Sequence, residues 1–156
     1  MEEQNIAFKT NQGCFTYRAA AIIIKDDKLL LVKHEDYQCY YTIGGKVRIN
    51  ETSEEAVIRE AYEETGIEFQ IDRLLFIQER LFEMTGENHH EIGFYFLMKE
   101  NTNIDLYCRK FTDQGTKETL HWLPIESIDK TYLIPEFLKT KLLFNKIGIE
   151  HIISKD

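Results

Sequence analysis

Apolar and polar positions along this chain change period several times, and the changes mark out a β-rich chain with two helices. Phe15 to Ile24 is almost continuously apolar or β-branched and reads as a central strand; Asp26-Asp27 turns it, and Leu29 to Val32 returns as the next strand. Asn5 to Thr10 reads as a short edge strand closed by Asn11-Gln12-Gly13. Phe69 to Met84 is one long strand or two, followed by a turn at Thr85-Gly86-Glu87-Asn88. His89 to Met98 then alternates, with Ile92, Phe94 and Phe96 on one face and Gly93, Tyr95 and Leu97 on the other. Thr119 to Leu123 is a short strand ended by Pro124, and Ile147 to Ile153 adds a last one. His34 to Gln38 is a polar loop. Asn101 to Lys117 is polar and too long for a tight turn, a length that fits a lid or binding loop.

Helical spacing appears twice. Pro135 suits the first turn of a helix running to about Asn145, with Ile134, Phe137, Leu138, Leu142 and Leu143 as its apolar side. The other helix begins after Thr52, which forms a capping-box pattern with Glu55, and Gly66 supplies a left-handed stop. On this helix Glu60, Glu63 and Glu64 stand at i, i+3 and i+4 and share one face. Each like-charged pair costs about 0.2–0.5 kcal/mol by itself. Such a face is either a solvated acidic surface or a site for a hard cation, which takes oxygen ligands and commonly bridges carboxylates to phosphates.

The surrounding spacing decides between them. Gly45, five residues, Glu51, seven residues, then Arg59-Glu60-Ala61-x-Glu63-Glu64-x-Gly66-Ile67 resembles the signature of the Nudix hydrolases at every fixed position. Seven identities at set offsets arise by chance with a probability of roughly 10⁻⁸ per starting point. The resemblance implies an α/β (α+β) fold, an α/β/α sandwich with a mixed β-sheet. It also implies hydrolysis of a nucleoside diphosphate linked to another group X, giving a nucleoside monophosphate and phosphorylated X. Metal ligation by Glu60, Glu63, Glu64 and the Gly44 carbonyl follows from it, with Mg²⁺ or Mn²⁺ as cofactor and with Glu51 and Arg59 pairing or orienting the carboxylates. Ala56, one turn before Glu60, is expected to leave room for metal and phosphate. The general base is one of the box glutamates, such as Glu63 or Glu64, or the outside candidate Glu118 at the end of the polar loop.

Length, charge and thiols narrow the rest. At 156 residues and 43% hydrophobic the chain is expected to be one domain, residues 1–156. A net charge of −8 argues against a general nucleic-acid binder, because backbone phosphates are held by Lys and Arg. Cys14, Cys39 and Cys108 are widely spaced and read as reduced thiols of a cytoplasmic protein. No signal peptide or apolar run of ~20 residues is apparent, so no membrane partner is expected. The expected partner is a small nucleotide, and a homodimer stays open. Arg18 either pairs on the surface or reaches a substrate phosphate; Tyr40 and Tyr41 either pack in the core or stack on a base. His89-His90-Glu91 is a poor zinc site, since neighbouring strand residues point to opposite faces.

Substrate identity is not legible. The proline that ADP-ribose-type relatives carry would fall near Glu83, and no proline lies between Gly66 and Pro124. A non-catalytic Nudix-fold nucleotide binder is the alternative, though such relatives usually lose a box glutamate and here none is lost.

Overall fold

The computed structural model describes residues 2–101, 109–111, 117–142 and 148–156. In chain order it forms β1 (Ala7–Thr10), β2 (Gly13–Ile22), β3 (Ile24–Lys25), β4 (Lys28–His34), β5 (Tyr40–Lys46) and helix α1 (Ser53–Thr65). The long hairpin β6 (Ile71–Met84) and β7 (Glu87–Met98) follows, then β8 (Arg109–Phe111) and β9 (Lys117–Pro124). A 3-10 turn (Ile125–Lys130), β10 (Leu133–Ile134), the short helix α2 (Leu138–Lys141) and β11 (Glu150–Lys155) complete the described chain.

The strands pair in the order β11-β6-β7-β2-β5-β4-β9-β8, with β1 on β2, β3 on β4 and β10 on β5. β2 runs parallel to β7, β6 to β11 and β5 to β10, and the other pairs are antiparallel, so the sheet is mixed. It is buried on both sides, which explains the unbroken apolar runs of its central strands. Ala19, Ala21, Ile23, Leu30 and Val32 pack with Ala56, Val57 and Ala61 of α1. The residues between them, Ala20, Ile22, Leu29 and Leu31, face the other way and pack with Ile128, Leu133 and Leu138 from the 3-10 turn, β10 and α2. The expected layers are therefore present, the second face being covered among the described residues by short helical pieces.

Several boundaries differ from the expectation. β5 was not anticipated, because Gly44 and Gly45 dilute its apolar pattern; it pairs with both β2 and β4 at the centre of the sheet. α2 starts at Leu138, not Pro135, because Leu133–Ile134 is drawn into β10 beside Tyr40 and Tyr41. Leu143 to Asn145 lie outside the described residues, as do Cys108 and most of the polar stretch 102–116. The N-terminal segment is more than an edge strand. The Ile6 N–H donates to the Val47 carbonyl at 2.8 Å, the Ile49 N–H donates to the Gln4 carbonyl at 2.8 Å, and Asn5 bridges Arg48.

Candidate active site

Helix α1 is held at both ends by its own sequence. The Thr52 hydroxyl accepts from the Glu55 N–H, and the Glu55 carboxylate accepts from the Thr52 N–H, so the expected capping box is formed. Gly66 caps the other end at φ 74°, its N–H donating to the Tyr62 carbonyl. Between these caps Ala56, Val57 and Ala61 anchor the helix to the sheet, which leaves the carboxylates on its outer side. Ala56 is 0% exposed, so its small side chain serves close packing of α1 on the sheet and leaves no room there for a metal or phosphate, contrary to expectation.

Arg59 organises that outer side. Its Nε and Nη2 donate to the two oxygens of Glu51 at 2.8 and 2.9 Å, a bidentate pair between side chains only 17% and 15% exposed. Nη1 donates to Glu60 at 2.7 Å and also lies 3.3 Å from Glu63. Nη2 reaches the Lys46 carbonyl at 3.0 Å, tying the helix to the end of β5. Hydrogen bonding to Arg59 holds the Glu51 carboxyl below its ordinary range against the opposing effect of burial, and the same contacts raise the guanidinium. Arg48 stands beside this cluster, paired with Glu3 and 3.8 Å from Glu63, and its N–H donates to Glu51 at 3.3 Å.

Gly45 is what lets Glu60 approach the sheet. A Cβ there would lie 2.3 Å from the Glu60 carboxyl carbon. Gly44 is equally confined, since its Cβ would meet the Ala19 carbonyl oxygen at 2.4 Å. Glu64 completes the row, with one carboxylate oxygen shielded from solvent. Glu60, Glu63, Glu64 and the Gly44 carbonyl form an all-oxygen donor set of the kind Mg²⁺ or Mn²⁺ takes. Among the described residues no three acidic, imidazole or thiol groups converge on one point as they stand, because Glu60 and Glu63 both turn to Arg59. The residues fit a divalent ion by their donor chemistry, and coordination would require Glu60 and Glu63 to exchange the guanidinium for it.

Glu118 does not join this cluster. Tyr40 and Thr119 both pair with Lys33 in the sheet, and Tyr40 lies five residues from Gly45 along β5. Strand geometry then separates the Glu118 region from Gly45 by about 20 Å. Tyr40 is also engaged elsewhere: its ring sits edge-on to His121 at 5.5 Å and under the Lys33 ammonium at 5.3 Å. His89 stacks on Phe82 and His90 lies edge-on to Phe15, each on its own face of β7.

Arg18 points the other way from its neighbours Tyr17 and Ala19, which pack under α1. It lines a cleft of about 490 Å³ on the opposite face of the sheet with Tyr41, Arg80, Glu91, Tyr95 and Tyr132. The size suits a mononucleotide. Burial pushes the Tyr41 and Tyr95 phenols up, so both keep their protons at neutral pH. The Tyr95 hydroxyl donates to Gln78 Oε1 at 3.2 Å, and Gln78 Nε2 donates to Ser154 at 3.0 Å, which locks the floor to β11. Sequence reading missed Arg80 and Glu91, although the alternation of β7 already places Glu91 on one face with Gly93 and Tyr95. Arg18 stands opposite Lys46, the last residue of β5, so cleft and box meet across one row of the sheet.

A two-sided mixed sheet carries a glycine-seated, arginine-braced row of carboxylates on one helix, an α+β architecture. Residues 16–141 match the family model of the NUDIX domain, more than half of the chain, and the chain belongs to that family. A segment of 57 residues is 46% identical to an ADP-ribose pyrophosphatase of Methanocaldococcus jannaschii, covering 35% of this chain and 34% of that protein. Another of 56 residues is 36% identical to a MutT-like protein of Streptomyces ambofaciens, covering 36% of each. The chain thus spans about a third of these curated relatives. Among solved structures, a MutT NUDIX hydrolase from Burkholderia pseudomallei superposes with a TM-score of 0.59 at 26% identity, over 72% of this chain and 84% of that one. A MutT protein from Bacillus halodurans shares the fold with a TM-score of 0.62 at 19% identity, over 87% and 89%. Among the described residues no helix is long and apolar enough to cross a membrane.

Proposed function

We propose that this chain is a divalent-metal-dependent pyrophosphohydrolase. Its substrate is a nucleoside diphosphate linked to a group X, and its products are a nucleoside monophosphate and phosphorylated X. The observation that carries the reading is the intact row Glu60, Glu63 and Glu64 on α1, seated on Gly45 and braced by Arg59 and Glu51. Glu60, Glu63, Glu64 and the Gly44 carbonyl would hold Mg²⁺ or Mn²⁺. The ion supplies charge neutralisation and Lewis acidity toward the pyrophosphate.

The chain's own residues do the rest. In the reaction water oxygen bonds to one phosphorus, the bond from that phosphorus to the bridging oxygen breaks, and the water proton passes to a base. Glu63 or Glu64 stands in the right row for that base; Glu118, about 20 Å from Gly45 by strand geometry, does not. Arg59 returns to Glu51 whichever carboxylates it releases, so its position survives the exchange. Arg18, with no ion pair among the described residues, offers a cation to the substrate from the cleft.

The test is a screen of nucleoside diphosphate and triphosphate derivatives with Mg²⁺ or Mn²⁺, following phosphate or pyrophosphate release. Glu60→Gln and Glu64→Gln are each expected to cut turnover by orders of magnitude with the fold retained, since each removes a ligating charge at constant shape. In metal-free buffer the loss of like-charge repulsion should leave stability unchanged or slightly raised. Full activity in either variant, or activity in excess chelator, overturns the metal site. Nucleotide binding without turnover across the screen supports a non-catalytic sensor instead.

A further inference from the structure

The cleft floor carries a band of charge that metal chemistry does not use. On the face turned from α1, Arg18 of β2 pairs in register with Gly93, and Glu91 of β7 pairs directly with Arg80 of β6. Glu91 is thereby flanked by two arginines on adjacent strands. It is ion-paired with neither among the described residues. Arg80 is occupied from another side: its Nε donates to Asp156 at 3.0 Å, and its guanidinium lies 3.9 Å over the Phe82 ring. Gly93 leaves the floor beside Glu91 open, and a Cβ there would come within 3.0 Å of the Tyr95 ring. At the mouth, Tyr37 and Tyr132 are 56% and 61% exposed, and the Tyr37 ring also lies 4.8 Å from His34 and edge-on to Tyr41 at 6.3 Å.

We propose that Glu91 and Arg18 read the edge of the nucleobase, and that the pair selects guanine. This deepens the reading above and rests on it. A carboxylate accepts only, and a guanidinium donates only. Guanine alone among the common bases offers two adjacent N–H donors, N1–H and the 2-amino group, to match both carboxylate oxygens. Its O6 and N7 are acceptors beside them, the pattern arginine takes bidentately. Adenine presents an acceptor at N1 where guanine has a donor, and that lone pair would face the Glu91 carboxylate. The tyrosines at the mouth stack on any base and so add affinity without choosing one. Glu91 is therefore a specificity-determining residue, and it stands apart from the box carboxylates on α1.

The experiment measures binding of GMP, IMP and AMP to the whole chain in metal-free buffer by calorimetry, beside turnover of the matching diphosphate derivatives with Mg²⁺. IMP lacks only the 2-amino group. GMP is expected to bind about 10–100-fold more tightly than IMP, the usual range for one hydrogen bond to a charged group. Glu91→Gln should bring GMP down to the IMP level and leave IMP almost unchanged. Arg18→Gln should weaken both, since both carry O6 and N7. Equal discrimination in wild type and Glu91→Gln, or tighter binding of AMP than GMP to the wild type, overturns the assignment. Unfolding of Glu91→Gln, read by circular dichroism, would leave the wild-type ranking of GMP, IMP and AMP as the deciding result. Base preference without any hydrolysis would instead count against the pyrophosphohydrolase reading, so the two failures are distinct.

Discussion

Gly45 and Gly66 both belong to the motif, yet their surroundings differ, and replacing each by alanine separates two kinds of cost. At Gly45 a methyl would sit 2.3–2.6 Å from the three carboxyl atoms of Glu60. Ordinary contact between such atoms begins near 3.5 Å, so about an ångström of movement is needed. Glu60 must swing out, which breaks its 2.7 Å bond from Arg59. That carboxyl is the far end of a flexible side chain, so the movement itself is cheap and the cost is that of the lost hydrogen bond, about 0.5–1.5 kcal/mol; each kcal/mol lowers Tm by roughly 2–4 °C in a chain of this length. In the proposed site the larger effect falls on chemistry, because displacing a proposed ligand by about 1 Å costs on the order of 10²-fold in rate.

At Gly66 no atom lies within 4 Å of the added methyl, but φ is 74°. Alanine there costs about 1–2 kcal/mol through backbone strain alone. The assay is kcat with Mg²⁺ on the best substrate of the screen, beside thermal unfolding of each variant. Gly45→Ala should lose stability and about two orders of magnitude in kcat; Gly66→Ala should lose similar stability and keep kcat. Equal kcat in the two variants would refute the argument that Gly45 exists to seat Glu60.

Four further outcomes follow. Arg59→Met should destabilise by about 2–3 kcal/mol, the scale for charged hydrogen bonds left unmade, as read by denaturant titration. The folded pKa of Glu51 lies below the ordinary carboxylate value of about 4.3, so its contribution is complete above that pH and is lost as pH falls through the folded value; Glu51→Gln should flatten the acid limb there. Glu118→Gln should leave kcat and its pH profile unchanged, and a loss of ~10²–10⁴-fold would restore it as general base. Replacing Cys14, Cys39 and Cys108 together by serine should leave activity within a few-fold, as no step draws on a thiolate; loss of activity with retained folding would point to a covalent intermediate.

The carboxylate helix was legible because every feature of it is local. Thr52, Glu55, Gly66 and the i, i+3, i+4 spacing act within one helix, and the capping box and left-handed stop are formed as the spacing predicts. The bidentate Arg59–Glu51 pair was legible only through resemblance, since eight residues of separation gives no contact by itself. β5 was hidden for a physical reason. Its glycines serve the close approach of Ala19 and Glu60, and a residue chosen for absence of side chain leaves no hydrophobic signal. The cleft was harder still. Arg18, Glu91 and Arg80 come from three strands, and their meeting depends on register between β2, β7 and β6, which no local pattern encodes. Tyr40 illustrates the same limit: its partners Lys33 and His121 lie on β4 and β9.

The hydrogen bonds that join Gln4 and Ile6 to the loop after β5 bear on where this domain can be cut. The span that matches the family begins at residue 16, beyond both of them. A chain trimmed to that span would keep every box residue in its sequence. It would nonetheless leave the Val47 carbonyl and the Ile49 N–H to water and remove Glu3 from Arg48. These contacts steady the segment that delivers Glu51 to Arg59, so the loss would appear as a loosened brace beneath an intact row of carboxylates. An affinity tag fused directly ahead of Glu2 would adjoin these contacts, and one fused directly after Asp156 would adjoin the carboxylate that holds Arg80 in the cleft.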